Sequence, residues 1–318
     1  MMKCRLCKKA DANQTGSHIT SCFMVNSLLG DRDKEEGFII SSRGGDFTIN
    51  RKADFLKDDF IFCRGCESRL SYLEGYFSSE FTNKIDEVQY SANFPVISEG
   101  NTNVCQPTNI NPLAFHLLIY SVLWRAHISN NPFFTKYKIP EEVAESIRLT
   151  LDTVLPPYQN FKVKGKYKEW ISELDSVKDL IKFYPYVILK TEWVGQDRTQ
   201  NLIYFSDIEN SPYHHLINEF VILAFFNNHG MDFVKQDYFE LSEKYNLHYA
   251  LNSKIDDLKI GVLRLADWQY IRDKFYGIVS EQLKMQSIVR DCIKIALSRG
   301  FLPTRNYMNY CIECRKNQ

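Results

Sequence analysis

The sequence lacks an excess of charge of either sign: 39 lysines and arginines stand against 39 aspartates and glutamates. A global field that would draw the whole chain onto nucleic acid or an anionic membrane is thereby excluded, and any nucleic-acid surface must be a local patch. Long hydrophobic runs are missing as well. The best of them, Leu117 to Trp124, is far shorter than the ~20 residues a bilayer-spanning helix needs. The opening Met-Met-Lys-Cys-Arg leads straight into the first cysteines, so no secretory signal sequence is expected, and neither an internal repeat nor a low-complexity segment is visible. What is present is cysteine: nine residues, an odd number, partly grouped as CxxC. That usage fits a reducing compartment and metal ligation better than a disulfide framework, so the expectation is a cytoplasmic protein. A chain of 318 residues can bury a sizeable core and suggests two or three domains.

Cys4-Arg5-Leu6-Cys7 is answered much later by Cys63-Arg64-Gly65-Cys66. Two thiolates on a tight turn reach one ion, and a second such turn completes a tetrahedron. Cys4, Cys7, Cys63 and Cys66 are therefore expected to hold a structural zinc. A third pair, Cys311 and Cys314, has three open readings: a second metal site with Cys292 or a histidine, an exposed redox pair, or a tail. It could also close the first site with Cys4 and Cys7 in place of the Cys63 pair.

Taken in order, residues 1–25 read as a knuckle, the Gly16 turn and a short strand from Ser17 to Phe23. Residues 26–37 read as an exposed charged loop. Phe38-Ile39-Ile40 and Phe47-Thr48-Ile49 flank a Gly-rich turn and predict a hairpin. After Cys66, the three- and four-residue spacing of Leu70, Leu73, Tyr76 and Phe77 predicts a helix. Knuckle, hairpin and a second CxxC opening a helix is the treble-clef order. Residues 82–110 are polar and read as a connection. Asn111 and Pro112 cap and start a helix over 111–128 that is apolar on nearly every side, hence central and buried. A further helix runs from Pro140 to about Leu151, and 165–182 is an amphipathic helical candidate. Strand-like runs follow at 186–189, 202–205 and 258–263. Residues 216–226 fit a strand or a buried helix equally. Helix is expected again from Asp267 to Ser298.

Cys4-x-x-Cys7, then Ser17-His18-Ile19, then Cys63-x-x-Cys66-Glu67 resembles the zinc-stabilised subset of HNH (His-Me finger) endonucleases, as a degenerate variant. It also resembles bacterial proteins in which a CxxC…SHI…CxxCE head precedes a helical body. The resemblance is confined to the head. It implies a metal-dependent nuclease, or a nuclease-derived nucleic-acid-binding protein, in bacterial antiphage defence or mobile-element biology. His18 would be the general base, and one Mg²⁺ or Mn²⁺ would stabilise the phosphate charge. Glu67 and Asp59 are the candidate ligands of that catalytic metal, with Glu74 as another carboxylate in reach of the helix. The chain departs from the family pattern in two places. Lys57-Asp58-Asp59-Phe60 stands where an Asn is expected, and Glu67 follows Cys66 where the family often has His or Asn.

His18 also has two other readings, a structural imidazole or a zinc ligand in place of one thiolate. His116 and His127 read as hydrogen-bonded core residues. The adjacent His214 and His215 diverge on any regular element. Trp124-Arg125 reads as packing with a surface ion pair, or as a guanidinium on an aromatic ring or a phosphate. Lys3, Arg5, Lys8, Lys9, Arg43, Arg51, Lys52, Arg64 and Arg69 offer a phosphate-contacting face, diluted by Asp31, Asp33, Glu35, Glu36, Asp58 and Asp59.

The expected architecture is thus α+β: a treble-clef or ββα-metal zinc head over 1–82, a connection over 83–110, and a larger, mainly helical body with a few strands over 111–318. The partners it admits are DNA or a second protein. The rival to a nuclease is a non-catalytic zinc protein whose head is a structural or recognition module and whose body binds a partner protein.

Overall fold

The computed structural model describes residues 2–21, 24, 37–41, 48–52, 56–82, 84–135, 137–156, 167–191, 203–205, 213–217, 219–226, 246–270 and 295. The chain divides into two compact units, Met1–Glu35 with Ala53–Leu265, and Glu36–Lys52 with Ala266–Gln318. The second unit contributes the antiparallel hairpin of β2 (Gly37–Ser41) and β3 (Thr48–Lys52), in register with Ile40 opposite Ile49. This is the hairpin expected from the sequence. Residues 266–270 of the same unit are helical; most of the helix expected over 267–298, and the Cys311/Cys314 pair, lie outside the described residues.

In the first unit, β1 (Ser17–His18) pairs antiparallel with β4 (Lys57–Asp58). The strand expected from Ser17 to Phe23 is therefore much shorter among the described residues. The helix α1 (Arg64–Phe77) begins inside the second CxxC, with Cys63 at its N-cap, and buries Cys66, Leu70, Leu73, Tyr76 and Phe77 on one face. That face is the one the spacing predicts, because residues three and four apart share a side of a helix.

Among the described residues the body holds three α-helices and a large sheet. The helix α2 (Pro112–Ile128) starts as expected: the Asn111 side chain accepts a hydrogen bond from the Ala114 N–H (3.1 Å) and Pro112 occupies the first turn. Every residue from Leu113 to His127 is buried, as a helix apolar all round requires. Helices α3 (Glu141–Val154) and α4 (Tyr167–Val177) follow, each with a stripe of buried apolar residues.

Eight strands form one sheet: β5 (Val96–Glu99), β6 (Thr102–Cys105), β7 (Tyr186–Thr191), β8 (Ile203–Phe205), β9 (Tyr213–Ile217), β10 (Phe220–Ala224), β11 (Leu251–Asn252) and β12 (Ile260–Leu263). Their order is β5-β6-β12-β7-β10-β9-β8, with β11 also on β7, and all pairs are antiparallel except β12 with β7. The fold is mixed α/β. A mainly helical body with a few strands understates this sheet, and the stretch 82–110 contributes its edge hairpin. The ambiguous run 216–226 resolves into the second half of the β9–β10 hairpin. The strand-like runs at 186–189 and 202–205 do not pair with one another; β7 pairs with β10, and β8 with β9. Central strands β7 and β10 are buried at every position, which suits the apolar runs Tyr186–Leu189 and Phe220–Ala224; Lys190, also buried on β7, is paired with Asp86. At Gly261 a Cβ would come within 2.5 Å of the Leu189 side chain and 3.1 Å of Ala250 Cβ, so glycine permits β12 to lie close against β7.

His116 ties α2 to this sheet. Its Nδ1 lies 2.6 Å from the Tyr186 hydroxyl and its Nε2 lies 2.9 Å from the Ile255 carbonyl. Burial lowers its pKa to about 4, so the folded protein carries it neutral, with Nε2–H donating to Ile255 and Nδ1 accepting from Tyr186. The unfolded chain takes up a proton there below about pH 6.5. The contribution to stability is therefore complete above that pH and is lost as pH falls towards 4, over a span of about 3 kcal/mol. Urea unfolding at a series of pH values should show the gap between wild type and His116→Gln closing by about that amount on acidification.

Candidate metal centre

The knuckle at Cys4–Cys7 is a short turn closed by backbone bonds: Lys8 N donates to Cys4 O, and Cys4 N to Ala10 O. Lys8 takes a left-handed φ of 56°, which folds the chain back just after the second thiol. The other pair sits at the start of α1, whose first-turn N–H groups favour negative charge. The two pairs meet. The Sγ atoms of Cys4, Cys7, Cys63 and Cys66 all lie within 4.8 Å of one another, with Cys4 and Cys66 buried and Cys7 and Cys63 half-buried. Four cysteines so placed can hold a metal ion such as zinc.

The electrostatics of the thiols fit that reading. Cys4 is held down to about 5 by a hydrogen bond from the Cys66 thiol, assisted by the backbone N–H groups of Cys63, Cys7 and Leu6 and opposed by burial. Cys66 is pushed upward by donating that bond to the Cys4 thiolate, by its burial, and by the neighbouring charges. Cys63 is raised chiefly by burial. Four thiolates cannot share so small a volume without a cation to balance them. A divalent ion removes the conflict, because metal-bound thiols are deprotonated outright.

Arginine side chains fix this head onto the body. Arg125 of α2 is buried; its Nη1 donates to the His18 carbonyl (2.7 Å), and its Nη2 pairs with Glu74 Oε1 (2.7 Å) and donates to Ser21 Oγ (3.1 Å). Ser21 Oγ in turn donates to Glu74 (2.9 Å), closing a triangle. Arg148 of α3 donates to the Leu6 carbonyl inside the first knuckle and pairs with Glu145. In the reverse direction Arg69 of α1 reaches the C-terminal end of α3, donating to the carbonyls of Asp152, Leu155 and Pro156 and pairing with the Asp152 carboxylate. A guanidinium at a helix C-terminus satisfies carbonyls that have no partner within the helix. Phe62 stacks on Trp124 at a centroid distance of 5.9 Å. Trp124-Arg125 is thus a packing pair with an ion pair, as one reading had it, but the pair is buried rather than on the surface.

The remaining site residues fall in different places. Glu67 Oε2 accepts from Ser17 Oγ (2.8 Å), and burial raises its pKa. Asp59 Oδ1 accepts from Gly16 N (2.6 Å). Asp58 Oδ2 accepts from Ser129 Oγ and Asn130 N just beyond α2. His18 is half-buried on β1 and follows Ser17, whose hydroxyl faces α1; successive side chains on a strand point to opposite sides. The structure does not gather His18, Glu67 and Asp59. Among the described residues, the four cysteines are the sole group of three or more His, Cys, Asp or Glu side chains with ligand atoms this close. Of the basic residues, Lys3 pairs with Asp11, Lys8 with Glu145 and Arg69 with Asp152, which removes them from a free phosphate-contacting face. Arg43 and the side chains of Arg51, Lys52 and His214 lie outside the described residues. Sequence reading missed Arg148 and Ser21, since neither belongs to a motif; a buried cation is visible only once helix and knuckle are placed together.

No family model, curated protein or solved structure matches this chain. Among the described residues no helix is long and apolar enough to cross a membrane.

Proposed function

We propose that this is a non-catalytic zinc protein of a reducing, cytoplasmic compartment, whose head is a recognition module locked onto an α/β body. The observation that carries this reading is the four-thiol cluster, a closed all-sulfur donor set that suits a structural zinc and leaves no open position for substrate. The carboxylates that a hydrolytic metal would need are engaged elsewhere, Glu67 by Ser17 and Asp59 by Gly16.

A second reading, an HNH-type endonuclease acting on DNA with Mg²⁺ or Mn²⁺, is favoured by one feature. The Ser17–Glu67 hydrogen bond sets the strand bearing His18 against a helix that opens on CxxC, the ββα order that the resemblance implies. Incubating plasmid and single-stranded DNA with the protein and either ion, beside His18→Ala, separates the two. The expected result is no cutting by either protein at unchanged zinc content. Cutting by wild type that disappears in His18→Ala, with zinc retained, would establish the nuclease and its base.

A further inference from the structure

We infer that the head carries a binding surface for single-stranded nucleic acid, formed by Phe60 with Arg5 and Arg64. This rests on the reading of the head as a recognition module and adds the class of its ligand.

Phe60 follows β4 with its side chain 49% exposed and its backbone at a φ of 57°. The left-handed region is unfavourable for a non-glycine residue, and glycine or asparagine would sit there with less strain. Half-exposed, the ring recovers only part of the burial an aromatic residue can gain, and the backbone outlier that holds it there is the observation from which a role is inferred. Backbone bonds knit its surroundings into one patch. Phe60 N donates to Gln14 O, Asn13 N and Gln14 N donate to Phe62 O, and Arg5 N donates to Ile61 O. Arg64 N donates to Asn13 Oδ1.

Arg5 and Arg64 are exposed. Among the described residues neither has a carboxylate at ion-pair distance, in contrast to Lys3, Lys8, Arg69, Arg125 and Arg148. The acids closest in sequence are engaged elsewhere: Glu67 by Ser17, Asp59 by Gly16 N, Asp58 by Ser129 and Asn130, and Asp11 by Lys3. An exposed ring whose neighbouring backbone segments carry two exposed arginines matches a polymer with flat faces and regularly spaced negative charge. Unpaired bases stack on such a ring while phosphates meet the arginines. Duplex bases have their faces occupied by their neighbours and offer only the charge.

Fluorescence anisotropy of a labelled thymidine oligonucleotide, titrated with the full-length, zinc-assayed protein over a range of salt, tests this. Single strand should bind more tightly than duplex of equal length. Phe60→Asn, which the left-handed backbone tolerates and which therefore keeps the fold, should weaken single-strand binding about tenfold with an unchanged salt slope. Arg5→Gln and Arg64→Gln should each reduce that slope by about 0.7. Zinc-loaded protein that ignores the oligonucleotide at low salt, or Phe60→Asn that binds as wild type does, overturns the inference while sparing the metal reading. Equal competition by polyglutamate overturns it in favour of an acidic protein partner. A folded protein without zinc overturns the metal reading instead, and the oligonucleotide data then decide this surface by themselves.

Discussion

Cys66→Ser should purify without the zinc that wild type carries, and its unfolding free energy should drop by at least about 3 kcal/mol. Cys66 ties the cluster to the core: it is buried, it belongs to the core face of α1, and its thiol is hydrogen-bonded to Cys4. Its loss leaves three thiols that repel when ionised and a helix start without its anchor. Because Arg148 grips Leu6 between Cys4 and Cys7, the damage should spread into α3 rather than stay in the knuckle. Zinc by elemental analysis and urea unfolding by tryptophan fluorescence measure the two effects on one sample, and Trp124 and Trp170 report from the body. The control is Cys105→Ser on β6, a buried thiol pushed up to about 11 by burial and away from the cluster; its zinc content should equal that of wild type. Full zinc in Cys66→Ser would refute the four-cysteine assignment.

Arg125→Leu should cost about 3–5 kcal/mol, the usual consequence of removing one partner of a buried ion pair. Glu74 would be left against Ser21 with its charge uncompensated, and the His18 carbonyl would lose its donor. Converting both partners, in Arg125→Leu with Glu74→Leu, should recover a large part of the loss, because two apolar groups need no compensation. Denaturant unfolding of the four proteins of this cycle gives the coupling directly. Hydrogen exchange locates it: the amide of Ile19, bonded to Leu56 O, should exchange faster in the single variant while zinc stays bound. Additive costs in the cycle would mean that Arg125 acts only by filling space.

The parts of this architecture that could be read from the sequence are those coded locally. Asn111-Pro112 marks a helix start by the chemistry of its own two residues, and the CxxC spacing marks a ligand turn in the same way. The sheet was harder. Strand β5 shows all four residues to solvent and so lacks the apolar alternation by which strands are recognised; it is held by backbone pairing to β6. The run over 216–226 was ambiguous because a doubly covered strand and a buried helix are both apolar throughout, and its partner β7 lies over thirty positions earlier. At the metal centre the four cysteines were legible, but the Arg125 triangle was not, since Ser21, Glu74 and Arg125 come from three stretches far apart in the chain and nothing in Trp124-Arg125 or in Glu74 marks the other as its partner. Phe60 carries no sequence mark at all: only its backbone angle sets it apart.

The C-terminal unit is assembled from two separated pieces of chain, so three peptide connections join it to the first unit, at 35/36, 52/53 and 265/266. Two of these three lie between Cys7 and Cys63. The segment carrying β2 and β3 is thus a loop whose neck is closed twice, by the β1–β4 pairing and by the thiol cluster that brings Cys7 to Cys63. The closure cost of such a loop rises only with the logarithm of its length, so the neck tolerates a long excursion of chain between its two sides.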